Sequence, residues 1–153
     1  MSKVIEMPRE INFDKWSYAD FVNAFNYFRD GNSEKLNALL TKATGIDYED
    51  MDLEESAKAK HETILAMNKF VESLDISVCH VDFKAGKWND KSYRNFQKAM
   101  NSRNINEVER LVKQVAFLDD VERDSITPLT ARQGCTMVRA ITQKYQDILT
   151  GKS

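Results

Sequence analysis

FDKWSYADFVNAFNYFRDGNSEKLNALL, residues 13–40, holds two helix starts and one helix stop. The Ser17 hydroxyl can cap the amides ahead of it while Asp20 answers from the third helical position, the reciprocal pattern of a capping box. From there Tyr18, Phe21, Phe25 and Phe28 recur at spacings of three and four, which predicts one helical stripe of rings facing a core. Gly31 ends that helix and Asn32 caps the next, whose inward residues are Leu36, Leu39, Leu40 and Ala43.

Downstream, Asp47 to Glu55 is strongly acidic, and Asp52 with Glu55 repeats the capping-box spacing before a longer helix with a stripe of Ile64, Met67, Val71 and Leu74. Ile76 to Phe83 clusters β-branched residues without helical period and reads as a short strand or an extended linker. Then the pattern returns. A shift of 72 pairs Lys15 with Lys87, Trp16 with Trp88, Asn23 with Asn95, Asn32 with Asn104, Leu39 with Leu111 and Asp47 with Asp119. The apolar register follows, Phe21 falling on Tyr93, Phe28 on Met100, Leu36 on Val108 and Leu40 on Val112. Any two amphipathic helices align at some shift, so duplication and chance register both stay open. Thr127 and Pro128 predict the start of a final helix carrying Val138, Ile141, Tyr145 and Ile148, closed by Gly151.

Two prolines and five glycines in 153 residues suit helices with brief turns rather than many strands. The expected fold is therefore all-α, a compact bundle of about six helices in a single domain over 1–153. Pseudo-repeated three-helix halves at 12–75 and 84–150, joined by 76–83, are the internal organisation the repeat would imply. Two cysteines are too few for a disulfide framework and no hydrophobic leader follows Met1, so a reducing cytoplasm is expected. No apolar run approaches the roughly 18 residues of a membrane span. The net charge of −2 hides an asymmetry: residues 1–75 carry 9 basic and 15 acidic side chains, residues 76–153 carry 13 and 9. Such a dipolar chain suits self-association or a basic face turned to an acidic partner.

Signatures of chemistry are lacking. His61, Cys79, His80, Asp82 and Cys135 are the candidate soft or imidazole metal ligands, and they form no CxxC, HxxxH or HExxH. The closing Gly151-Lys152-Ser153 imitates the end of a phosphate loop, but Gln146 stands where that loop needs glycine. The acids of Asp47 to Glu55 sit side by side and lack the opposed environments that separate a general acid from a general base. A site assembled from scattered residues such as His61, Glu62 and His80 is the enzymatic alternative. The expectation is a non-enzymatic protein with no cofactor.

Interaction then becomes the expected role. Trp16, Trp88, Phe13 and Tyr27 are the candidate partner-binding residues, aromatics at the margin of the helical core. Lys84, Lys87, Lys91, Arg94 and Lys98 alternate with Trp88, Tyr93 and Phe96, and Arg132 and Arg139 lie seven apart on one helix face. These seven cations are the candidate phosphate contacts of a rival reading, a helical small subunit of a nucleoprotein complex.

The segment at 13–40, with Asp14 and Trp16 at its helix start, followed by the acidic linker and a longer helix, resembles the small helical tail assembly chaperones of tailed bacteriophages. The likeness covers roughly the first half of the chain. It implies a protein that coats an aggregation-prone tape measure protein during tail building, without chemistry, and it transfers no site residue.

Overall fold

The computed structural model describes residues 11–152; the Met1 start and Ser153 lie outside them. Six α-helices occur among the described residues: α1 (Tyr18–Asp30), α2 (Ser33–Thr44), α3 (Leu53–Ser73), α4 (Asp90–Asn101), α5 (Ile105–Val115) and α6 (Ala131–Leu149). Short 3-10 turns at Phe13–Lys15 and Ile76–Val78 precede α1 and follow α3. Strands β1 (His80–Val81) and β2 (Ala116–Phe117) form one antiparallel ladder that pairs His80 with Phe117 and Val81 with Ala116. The fold class is all-α.

Local chemistry explains the boundaries. Asp20 N–H donates to Ser17 Oγ at 3.0 Å and Ser17 N–H donates to the Asp20 carboxylate at 3.2 Å, completing the capping box of α1. Gly31 stops α1 at φ +73°, a left-handed conformation that costs glycine nothing. Asn89 and Ser92 cap α4 reciprocally, and the turn after α4 again passes through the left-handed region, at Arg103 with φ +61°. Asn32 and Asn104 cap α2 and α5, each accepting from the amide three residues on at 3.3 Å. Thus α1 and α4, and likewise α2 and α5, begin at the spacing that separates Trp16 from Trp88.

One expected cap and one expected start are corrected. Asp52 stands at the N-cap of α3, but its carboxylate accepts no bond from the first turn, so the expected box with Glu55 does not close. The last helix begins at Ala131 rather than at Thr127-Pro128. Lys113 Nζ draws the Thr127 carbonyl to 2.6 Å and Glu109 takes the Leu129 N–H at 2.8 Å. With those groups held by α5, the first free cap is Thr130, which closes a box with Gln133 at 3.1 and 3.0 Å.

Helix α6 is the hub. It lies against α1, α5, both 3-10 turns and the β ladder, and Gly134, Cys135, Thr136 and Met137 are buried in succession, so it is covered on every side there. Gly134 lets α1 come close: a Cβ at that position would lie 2.6 Å from Tyr18 Cβ. Backbone joins the start of α1 to the start of α6 as well, with Tyr18 N–H donating to Leu129 O at 2.8 Å and Ala131 N–H to Trp16 O at 3.1 Å.

Aromatic residues fill the core in two clusters. Phe13, Trp16, Phe21 and Phe70 meet with ring centroids 5.0–6.3 Å apart. Phe83, Trp88, Phe96, Tyr93 and Tyr145 form the other, where Tyr93 and Tyr145 stack at 3.7 Å. The stripe of α1 departs from expectation at its end: Ala24 is buried, Phe25 is half-buried, and Phe28 is 39% exposed.

Candidate functional site

Between α1, α3 and α6 the surface opens into an apolar groove of about 210 Å³. Tyr18, Phe21 and Cys135 form its buried floor, and the half-buried Val22, Phe25, Val71 and Val138 form its walls. Its polar lining residues are Asn26 and Arg139. Arg139 Nη1 donates to Val71 O at 2.5 Å, supplying a cation to the C-terminal turn of α3, which has no basic residue of its own. The groove wall is therefore tied to the hub helix at one edge. Burial raises the Tyr18 phenol far above its ordinary range and pushes the Cys135 thiol up to about 12, so neither ionises near neutrality.

The aromatic residues expected at the margin lie elsewhere. Phe13 and Trp16 are buried, at 6% and 1% exposure, and Trp16 Nε1 donates to Leu39 O at 2.9 Å. Expectation placed Phe13 at the surface; its ring instead packs on Trp16, Phe21 and Phe70, since covering a large apolar ring outweighs leaving it wet. Trp88 is half-buried, stacks on Phe83 at 5.7 Å and donates from Nε1 to Gln114 Oε1 at 3.0 Å. Tyr27 is half-buried beneath the Lys35 ammonium, 5.7 Å from its ring centre. These four belong to two clusters and a helix flank, and do not converge on one surface.

The basic candidates divide. Lys91, Arg94 and Lys98 share one exposed face of α4, with exposed Lys84 and Lys87 in the loop before it. None of the five makes an ion pair among the described residues. Arg132 and Arg139 do not extend this face. Arg132 lies 3.5 Å from Asp14 and 5.0 Å over the Phe70 ring, and Arg139 is engaged at Val71 O, so their seven-residue spacing serves packing on the first half of the chain.

His61 and His80 are exposed, Cys79 and Cys135 are buried, and no group of three His, Cys, Asp or Glu side chains is disposed to hold a metal ion among the described residues. Burial pushes the Cys79 thiol up to about 11, which keeps it protonated and a poor nucleophile. No described helix is long and apolar enough to cross a membrane. The chain matches no family model, no curated protein and no solved structure.

Sequence reasoning missed the groove and the all-round burial of α6. For the groove no local signal exists, because Val22, Val71 and Val138 come together only in three dimensions. For α6 a signal is present: Gly134-Cys135-Thr136-Met137-Val138 is a run of small and apolar residues without a charged interruption, the pattern of a helix contacted on all sides.

Proposed function

We propose that the protein is a non-enzymatic interaction or assembly factor that receives the apolar face of a partner helix in the α1–α3–α6 groove. The observation that carries this reading is the groove itself, walled by four half-buried apolar side chains on three helices. A helix presenting aliphatic residues three or four apart would seat them over Phe25, Val71 and Val138, the usual mode of helix-in-groove recognition. A tail assembly chaperone of the bacteriophage type, holding a helical client, is the specific form of this proposal; the sequence resemblance at residues 13–40 supports it. The same proposal takes 12–75 and 84–150 as pseudo-repeated halves, supported by the matching caps at Ser17 and Asn89 and the matching left-handed turns at Gly31 and Arg103. A reducing cytoplasm as its location is supported by the two free cysteines, both buried.

The second reading, a nucleoprotein subunit, is favoured by one observation: the unpaired cations on the exposed face of α4. One experiment separates the two. Wild type, Val22→Asp/Val138→Asp and Lys91→Glu/Arg94→Glu/Lys98→Glu are each used to capture partners from the native host, with and without nuclease. The groove proposal expects a protein that survives nuclease, is lost on the aspartate variant and is kept on the glutamate variant. Partners lost with nuclease and with the glutamate variant establish the second reading. A partner indifferent to both variants refutes both.

A further inference from the structure

A separate cleft of about 470 Å³ opens where the start of α6 meets the end of α3 and the segment after β2. It shares no lining residue with the α1–α3–α6 groove. Leu74, Val78 and Leu118 give it an apolar side, and Val78 is 63% exposed there. Four charged residues also line it. Asp14 and Arg132 pair with each other at 3.5 Å and cancel, which leaves Asp75 and Asp120 as the uncompensated charges.

Both remaining carboxylates are free to take a cation. Asp75 Oδ1 accepts from Ser77 N–H at 3.0 Å and from Ser77 Oγ at 2.5 Å, bonds that hold its carboxyl below the usual range and keep it ionised, while Oδ2 carries no bond. The Asp120 carboxylate has neither hydrogen bond nor ion pair among the described residues.

Thr136 supplies an independent sign of a ligand. It lines the cleft, is only 4% exposed, and its hydroxyl makes no hydrogen bond among the described residues. A helical threonine ordinarily returns its hydroxyl to the carbonyl four residues back, as Thr63 does to Ala59 at 2.8 Å and Thr142 to Val138 at 2.9 Å. The sealed, unpartnered side-chain atom among the described residues is Asn37 Oδ1, so the Thr136 oxygen is not sealed in the core. Thr136 is thus a lining residue of the cleft that is more than nine-tenths buried and whose hydroxyl has no protein partner among the described residues.

We propose that this cleft binds a lysine or arginine side chain presented by a basic segment of a partner protein. The alkyl stem lies along Leu74, Val78 and Leu118, as long cationic side chains cover apolar surface, and the charged head sits between Asp75 and Asp120. The Thr136 hydroxyl accepts one of its N–H groups. An anionic ligand meets two uncompensated carboxylates and is turned away.

The test is an NMR titration of the ¹⁵N-labelled full chain with acetyl-Leu-Arg-Leu-amide, with acetyl-Leu-Glu-Leu-amide as counterpart. Saturable shifts at Asp75, Val78, Asp120 and Thr136 are expected with the arginine peptide alone, weakening as salt is added. Asp75→Asn/Asp120→Asn weakens binding about fivefold or more, the loss expected when a close charge partner is removed. Thr136→Val weakens binding about threefold and leaves Tm unchanged or raised, because the hydroxyl has no protein partner to lose. The proposal is overturned if neither peptide produces saturable shifts, if the glutamate peptide matches the arginine peptide, or if the shifts fall on Asp47 to Glu55 instead. It is equally overturned if Thr136→Val lowers Tm while binding is intact.

Discussion

Gly134→Ala sets two well-measured effects against each other in one position. Gly134 lies inside α6, where replacing glycine by alanine stabilises a helix by about 1 kcal/mol on propensity alone. Against this, the new methyl would stand 2.6 Å from Tyr18 Cβ and closer still to the root of its ring, where carbon atoms normally keep about 3.5–4.0 Å. Tyr18 has little room to yield. It is 8% exposed, its N–H is tied to Leu129 O at 2.8 Å, and it follows directly on the Ser17 cap of α1. Relief therefore requires α1 to lift from α6, and overpacking of this kind costs about 1–3 kcal/mol. Because the clash is with the root of the side chain, the upper end applies, leaving a net loss of about 2 kcal/mol after the propensity gain. At about 2–4 °C per kcal/mol for a chain of this size, Tm falls by about 4–8 °C, read by calorimetry or circular dichroism. The same substitution in a Tyr18→Gly background stabilises by about 1 kcal/mol, since Tyr18 Cβ and its ring are both gone and the propensity gain remains. A Tm that rises in the otherwise native chain refutes the packing argument.

Other outcomes follow from the same contacts. Lys113→Met, which removes the buried ammonium from Ser125 O and Thr127 O, destabilises the fold by about 1–3 kcal/mol and speeds hydrogen exchange in residues 119–130 first. Arg139→Leu removes the donor to Val71 O and costs about 1 kcal/mol by denaturant titration, while leaving any salt-sensitive nucleic-acid binding unchanged. The Cys135 thiol, raised from 9.0 to about 12, binds its proton more tightly folded than unfolded, so stability is full below pH 9 and drains away as pH rises toward 12. Alkaline unfolding of Cys135→Ala is correspondingly shallower across that interval, and a slope equal to wild type would discount the buried thiol.

What could be read in advance was local. The caps at Ser17 and Asn32 and the stop at Gly31 involve groups within a few residues of one another, and each stands where its spacing places it. The strand option for Ile76 to Phe83 holds only for His80 and Val81, and its partner Ala116–Phe117 gave no sign, since two residues show no period. The start of α6 was misplaced because Lys113 and Glu109, on another helix, hold the residues around Pro128 away from helical geometry. Phe13 looked peripheral because it precedes α1, but a 3-10 turn folds it back under Phe70. The groove and the Thr136 cleft are wholly non-local: Val22, Val71 and Val138, or Leu74 and Leu118, carry no mutual signal along the chain. A sequence pattern reports which face of a helix is apolar, and packing decides how much of that face stays open.

The backbone bonds from Tyr18 to Leu129 and from Ala131 to Trp16 tie the start of α1 to the start of α6, more than a hundred residues further along the chain. During synthesis, then, a ribosome releases α1 to α5 before the helix that completes their core has left the exit tunnel. Until the segment from Leu129 through α6 emerges, Trp16 and Tyr18 lack their backbone partners and Tyr18 lacks the glycine it rests on. Closure across so long a stretch of chain is entropically slow and comes late. The nascent protein consequently passes through an interval in which its own aromatic residues are open to other chains.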